Sequence, residues 1–190
     1  MRRHIMPALA ALPLLLPVAA RADDVSDALA EATKAYQSGQ VAAARTAMEE
    51  ALQLLAQRTA AGLGSALPNP LPGWQGEKVE TQSAGLAFMG GGSQASRSYR
   101  NGTGQNVQIQ VTADSPVLAQ LGMIMANPAM AGAMGKLIHV GSQRAIQTNN
   151  NEIQMLVNNR ILVVVSGSAP NEDKLAYAQA IDLTKLSSWQ

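Results

Sequence analysis

The chain has 190 residues, with 14 basic and 13 acidic side chains, two histidines and no cysteine. Its length suits one domain with a real core, which must be largely aliphatic because only 3% of the residues are aromatic. The near balance of charge gives no basic excess for nucleic acid or anionic lipid, and the lack of cysteine excludes disulfides and cysteine nucleophiles.

The first 22 residues have the pattern of a secretory signal peptide. Residues 2–4 are basic, residues 5–19 are mostly apolar, and residues 20–22 read Ala-Arg-Ala, a small-x-small cleavage site. We therefore expect cleavage after Ala22 and a periplasmic or secreted protein without a membrane span. Removal of the three arginines in this segment leaves 11 basic and 13 acidic residues, a net charge of −2.

Residues 23–62 predict a helical hairpin. The first helix, residues 24–38, has one apolar face; the second, residues 41–61, has another; and residues 38–40 join them. The apolar positions are Val25, Leu29, Ala32 and Tyr36 in the first helix, and Val41, Ala44, Met48, Ala51 or Leu52, and Leu55 in the second.

The segment "AYQSGQVAAARTAMEEAL" resembles a single tetratricopeptide-type unit. Ala32, Tyr36, Gly39, Ala43 and Ala47 fall near the small and aromatic positions of that family. Units of this kind need neighbours to bury their faces, and the sequence shows no second copy.

Residues 63–74 predict a connector rich in proline and glycine that delivers Trp74 to a second domain, residues 75–190. Beyond it the apolar period changes to two, which indicates strands in "EKVETQ", "LAFM", "SRSYR" and "NVQIQVT". In the last of these, Val107, Ile109 and Val111 share one side. "GGGS" and "NGTG" are the predicted turns.

The second half of the predicted domain alternates helices and strands. Asp114-Ser115-Pro116 begins a helix that ends at Asn127-Pro128, where a second short helix starts. "QRAIQT", "EIQMLVN" and "RILVVVSG" predict three strands, of which the last is nearly all apolar and so central. Residues 169–183 predict a closing helix capped by Asn171, with Leu175, Ala178 and Ile181 buried.

This order of elements predicts an α+β fold, an antiparallel sheet flanked by helices and preceded by the helical hairpin. Residues 74–190, with the ending "RILVVVSG" to "YAQAIDL", resemble the PsbP-like α/β sandwich proteins. That resemblance implies a binding or assembly module without conserved catalysis.

No motif identifies a reaction. The chain has no G-x-S-x-G, and His139 is the one histidine after residue 22. An enzyme of unfamiliar design would require Asp114, Glu152 and His139 to share a pocket. Most other acidic residues fall at helix starts, where capping explains them.

The segment "LGMIMANPAMAGAMGKLIH", residues 121–139, holds four of the nine methionines. Thioether sulfur and imidazole suit Cu(I) in an exported protein, and Met123, Met130 and Met134 would form one stripe on a continuous helix, with Met125 pointing away. Three interpretations stay open: core filling, contact with a protein or lipophilic ligand, and copper binding. The candidate copper ligands are Met123, Met125, Met130, Met134 and His139.

The sequence therefore favours a secreted, non-catalytic accessory protein that binds another protein or a small ligand in the cell envelope and needs no cofactor. We expect a protein partner at the N-terminal hairpin or the methionine-rich segment, and no nucleic acid. The alternative is a periplasmic soft-metal protein whose cofactor is copper.

Overall fold

A computed structural model describes residues 23–83 and 92–188. Two N-terminal helices precede an eight-stranded antiparallel sheet with further helices, which confirms the predicted α+β class. The predicted strand "LAFM" lies outside the described residues. The elements are α1 (Asp24–Gln37), α2 (Val41–Ser65), β1 (Trp74–Gly76), β2 (Glu80–Gln82), β3 (Ser93–Asn101), β4 (Asn106–Ala113), α3 (Val117–Ala126), α4 (Pro128–Met134), β5 (Gly135–Val140), β6 (Gln143–Thr148), β7 (Ile153–Val157), β8 (Ile161–Ser166), α5 (Asn171–Ala180) and α6 (Leu183–Ser188).

The strands are ordered β1-β3-β4-β8-β7-β6-β5, and β2 also pairs with β3. The "NGTG" hairpin between β3 and β4 is confirmed, as is the central place of β8, which pairs with β4 on one side and β7 on the other. β5 was not predicted, because residues 135–140 follow an apolar helical segment directly. It forms one edge of the sheet and carries His139.

One face of the sheet forms the core, and its side chains are buried in the central strands β4, β7 and β8. In β4 the predicted alternation is confirmed, since Val107, Ile109 and Val111 are buried while Gln108 is exposed. The same pleat buries Val163 and Val165 of β8. The last part of α2 together with α5 and α6 supplies the rest of this core, including Leu63, Tyr177 and Leu186.

The connector is held to the sheet by two buried tyrosines. α2 runs to Ser65, four residues beyond the predicted end at residue 61, so the connector starts later than expected. The Tyr99 hydroxyl donates to the Pro68 carbonyl at 2.8 Å, and the Leu71 amide donates to the Tyr177 hydroxyl at 3.2 Å. Trp74 then packs edge-on against Tyr177, with ring centroids 5.3 Å apart.

The helical hairpin is confirmed, but its two helices meet through alanines rather than through their larger apolar residues. The buried residues of α1 are Val25, Ala28 and Ala32, and those in the first half of α2 are Ala44, Ala47 and Ala51. Small side chains let two helix backbones approach closely. The remaining apolar positions of the predicted faces are exposed instead: Leu29, Tyr36, Val41, Met48, Leu52 and Leu55.

The C-terminal helix also differs from the prediction. Asn171 is its first residue rather than its cap, and the helix ends at Ala180 before the short α6. Ala178 and Ile181 are buried as expected, but Leu175 is only half-buried. Lys174 and Tyr177 are the additional buried side chains, and the sequence pattern did not indicate them.

Candidate functional site

A cavity of about 320 Å³ lies beside α3 on the face of the sheet opposite the core. β5, β6 and β7 form its floor, and the turn after β7 closes one side. Its lining is mostly apolar, with four polar side chains. The lining residues are Gly122, Met125, Leu137, Ile138, His139, Gln143, Arg144, Ala145, Ile146, Leu156 and Asn159.

The chain places α3 over the sheet by means of a glycine and a helix cap. At Gly122, the backbone of α3 packs on the side chain of Leu156 in β7, and a Cβ atom built there would lie 3.4 Å from Leu156 Cδ2, an ordinary contact distance. Asn127 ends α3 and caps α4, since its side-chain oxygen accepts the Ala129 amide at 3.0 Å. The two helices are therefore separate, as the Asn-Pro pair predicts.

The register of β5 and β6 sets the order of side chains on the floor. Leu137 lies directly opposite Ile146, and His139 lies directly opposite Arg144. Because directly opposite residues project from the same face of a sheet, an apolar pair and a polar pair follow each other along these strands. The floor thus combines an apolar part with an imidazole and a guanidinium group.

The charge at the cavity is positive. Among the residues that the structure describes, Arg144 is the one lining residue with a formal charge, and no aspartate or glutamate of that set lines the cavity. Gln143 is held in place because its Nε2 donates to the Leu156 carbonyl at 3.0 Å. The arrangement suits a molecule with an apolar body and an anionic or hydrogen-bonding group.

The structure brings two of the five sequence-predicted copper ligands to this cavity. Met125 and His139 both line it. Met123, at 70% exposure, and Met130 are on the surface, and Met134 is half-buried; none of these three lines the cavity. Helical counting placed Met125 away from the stripe, yet Met125 is the methionine that faces the cavity.

Asp114 and Glu152 lie elsewhere. Asp114 is paired with Arg160, with Oδ1 and Nη2 2.5 Å apart, beside a second cavity between α2 and the start of β8. Glu152 directly precedes β7, whereas Arg160 follows that strand, and the Glu152 carboxylate accepts a hydrogen bond from Gln154 Nε2 at 3.3 Å. Each acid thus has a structural role of its own. In the described ranges, no group of three or more histidine, aspartate or glutamate residues could hold a metal.

Sequence reasoning missed Leu137, Arg144, Ile146 and Leu156 as residues of a common site. The sequence pattern predicts their strands except for β5, because "GKLIHV" lacks a regular alternation and directly follows the methionine-rich helices. Without β5, nothing indicated that the residues opposite His139 and Leu137 belonged together.

Comparison of the chain with protein-family models, curated proteins and solved structures gave no match. The α+β class therefore rests on the architecture itself. Among the described residues, no helix combines the length and apolar character needed to cross a bilayer.

Proposed function

We propose that the protein is an exported, non-catalytic binding protein whose cavity beside α3 holds a small apolar molecule with an anionic group. The observation that carries this proposal is the pairing of an apolar floor with Arg144 in a cavity free of acidic residues. The signal-peptide pattern of residues 1–22 supports a periplasmic or secreted location.

The size of the cavity indicates the class of ligand. A volume of about 320 Å³ falls at the lower end of ligand pockets, which span roughly 300–1,000 Å³. This suits a medium-chain or aromatic carboxylic acid, whose body would lie on Leu137, Ile146 and Leu156. The carboxylate would accept charge-assisted hydrogen bonds from Arg144, and His139 directly opposite could donate another.

Calorimetric titration with decanoate tests the proposal. Arg144→Gln should weaken binding about 10-fold to 150-fold, the loss of one charge-assisted hydrogen bond. Arg100→Gln is the matched control, because Arg100 is also an exposed arginine on a strand but does not line the cavity. Absence of binding at millimolar decanoate, or equal weakening by both variants, would contradict the proposal.

Copper binding is the second candidate function, favoured by the presence of Met125 and His139 at one cavity. Sulfur and imidazole are ligands that Cu(I) accepts. In a competition titration against a Cu(I) chelator, Met125→Leu and His139→Gln should abolish binding. Met130→Ala and Met134→Ala should not, because those residues lie outside the cavity. Equal loss with all four variants would instead support the five-residue site predicted from the sequence.

A further inference from the structure

The hairpin formed by α1 and α2 has an exposed apolar face. Its members are Leu29 and Tyr36 of α1 and Val41, Met48, Leu52 and Leu55 of α2, here called the arm face. Leu55 lies at the end of this face next to the sheet, where it also lines the second cavity. Leu52 is 65% exposed and Tyr36 67% exposed. Single exposed apolar residues are ordinary, but several on one face form a patch of the kind that marks interaction sites. These residues are not needed to hold the hairpin together, because the alanines between the helices do that.

Both sets of exposed residues lie on the same side of the hairpin. Viewed along each helix axis from the N-terminus, successive residues are rotated by about 100°. On this count the exposed stripe of each helix is rotated by about 60–80° from its alanine stripe, in the same direction in both helices. Antiparallel helices are related by a local twofold axis perpendicular to their plane, so equal offsets bring both stripes to one side. The acidic residues occupy the other side, where Asp24, Asp27, Glu31 and Glu50 line a shallow groove.

The spacing within the arm face matches that of a helix that packs on another helix. Val41, Met48 and Leu55 are seven residues apart, and Leu52 falls three residues before Leu55. Leu29 and Tyr36 repeat the interval of seven in α1. Such heptad spacing places side chains so that they fit between those of a facing helix with the same pattern.

Charge on the arm argues for a protein partner over a lipid surface. Helices that bind membranes border their apolar side with free lysine and arginine, whereas Arg45 beside the arm face is paired with Glu49 at 2.8 Å. The arm face itself contains no charged residue, so two copies can bring it together while their acidic sides point apart.

We propose that the arm face binds a second copy of this chain, so that two hairpins form a four-helix arrangement about a twofold axis. Such an interface is isologous, because each copy offers the same self-complementary surface. Two helices about 20 Å long and about 10 Å apart expose a face on the order of 400 Å². Two copies would together bury roughly 800 Å², which is below the standard size of specific interfaces and in the range of weak, transient ones, so dissociation should be on the order of tens of micromolar.

Sedimentation equilibrium of the protein purified after expression of the full chain, from about 2 to 200 µM, tests the proposal. The wild type should pass from monomer to dimer, and Met48→Glu with Leu52→Glu should remain monomeric throughout. The matched control is Gln53→Glu with Gln57→Glu, which adds the same charge to exposed positions of α2 outside the arm face and should dimerise like the wild type. Circular dichroism of both variants shows whether the hairpin is intact.

Crosslinking gives an independent measurement, because the chain has no cysteine of its own. Met48→Cys lies at the middle of the α2 stripe and should form a disulfide-linked dimer on mild oxidation, whereas Gln57→Cys should not. A wild type that stays monomeric at 200 µM would overturn the proposal. A dimer that persists in the Met48→Glu, Leu52→Glu variant would also overturn it. A third contrary result would be a monomeric protein that sediments with phosphatidylglycerol vesicles.

Discussion

Tyr99 of β3 and Tyr177 of α5 pack against each other with ring centroids 4.3 Å apart, and both hydroxyls bond to the connector between α2 and β1. The pair therefore joins three elements that are distant in sequence: the sheet, the C-terminal helix and the proline-rich segment. Burial raises the pKa of Tyr99 to about 12, although nearby Arg97 acts in the opposite direction.

The raised pKa of Tyr99 predicts a loss of stability in alkali. The neutral hydroxyl is favoured in the folded state, so its contribution is complete below pH 10 and is lost as the pH rises from 10 to 12. A shift of this size corresponds to about 3 kcal/mol. Tyr99→Phe should lower the free energy of unfolding by about 1 kcal/mol at pH 8, because the hydrogen bond to Pro68 is lost. Near pH 12 the variant should be as stable as the wild type or more stable.

Urea unfolding of both proteins at pH 8, 10 and 12 measures this difference. Tyr36→Phe is the control, because Tyr36 is on the surface. Parallel pH profiles for wild type and Tyr99→Phe would contradict the assignment.

Lys174 of α5 provides a second pH dependence, of opposite sign. Its side chain is 3% exposed, and its Nζ reaches the Gly167 carbonyl at 3.5 Å. Burial lowers the pKa of Lys174, with nearby Glu152 opposing that shift. Between the lowered pKa of the folded state and 10.5, the unfolded chain holds more protons than the folded one, so the wild type should gain stability as the pH rises through that range.

Lys174→Met should be more stable than the wild type at pH 7, since it keeps the apolar stem and removes the buried charge. The advantage should shrink as the pH rises toward 10. Thermal melts at pH 7 and pH 9.5 check this, with Lys185→Met, a half-exposed lysine of α6, as the control. If the greater stability of Lys174→Met instead grew with pH, the buried charge of Lys174 would not be destabilising.

Because alanines form the contact between α1 and α2, enlarging an alanine should cost more stability than truncating a large apolar residue of the hairpin. Ala47→Leu should destabilise the hairpin by about 1–3 kcal/mol, because the added volume forces the helices apart. Leu52→Ala should change the stability of the monomer by about 0.5 kcal/mol or less, since Leu52 is exposed. Chemical unfolding at low micromolar concentration measures both, and a larger cost for Leu52→Ala would place that residue in the monomer core.

Gly122 predicts a stabilising substitution at the cavity. An alanine Cβ there would have ordinary contact with Leu156 at 3.4 Å, and alanine is favoured over glycine within a helix by about 1 kcal/mol. Gly122→Ala should raise the free energy of unfolding by about 0.5–1 kcal/mol. It should also weaken decanoate binding slightly, as a methyl group narrows the cavity. Destabilisation would indicate that α3 lies closer to β7 than described.

Gly135, where α4 passes directly into β5, should tolerate no side chain. A Cβ at this position would overlap the backbone carbonyl of Gln147 on the paired strand. Gly135→Ala should therefore displace β5 and cost about 2 kcal/mol or more. Because β5 carries His139 and Leu137, the variant should also lose the cavity. Hydrogen exchange of the β5 amides would reveal the displacement, with Gly132→Ala in α4, where a Cβ meets no atom within 4 Å, as the control.

The fold was predictable where a pattern has one physical explanation. The alternation in β4 indicates a strand with one buried face, and Val107, Ile109 and Val111 are buried accordingly. In α2, by contrast, two apolar stripes lie less than a quarter turn apart, one of alanines and one of larger residues. Periodicity cannot tell which stripe meets the partner helix, because that choice depends on how closely the backbones approach.

The candidate site was predictable only in part, because it depends on strand pairing. Met125 and His139 were recognised as chemically suitable, but their distance in sequence gave no indication that a turn at Asn127 and a strand at Gly135 bring them to one cavity. Arg144 belongs to the predicted strand "QRAIQT", but nothing in that pattern distinguishes it from other basic residues on strands. Its role depends on the register that puts it opposite His139.

The pairing of β4 with β8 joins two halves of the sheet, and within each half the paired strands are close together in the sequence. β3 and β4 form one hairpin and β5 to β8 form a meander, whereas Ala113 and Ile161, which are paired across the boundary, are 48 residues apart in the chain. Closing so long a loop costs entropy before any contact compensates for it. The hairpins within each half can therefore form early in folding. The pairing of β4 with β8 should come late and limit the rate of folding. In the native protein the Asp114 to Arg160 ion pair lies at the end of that boundary.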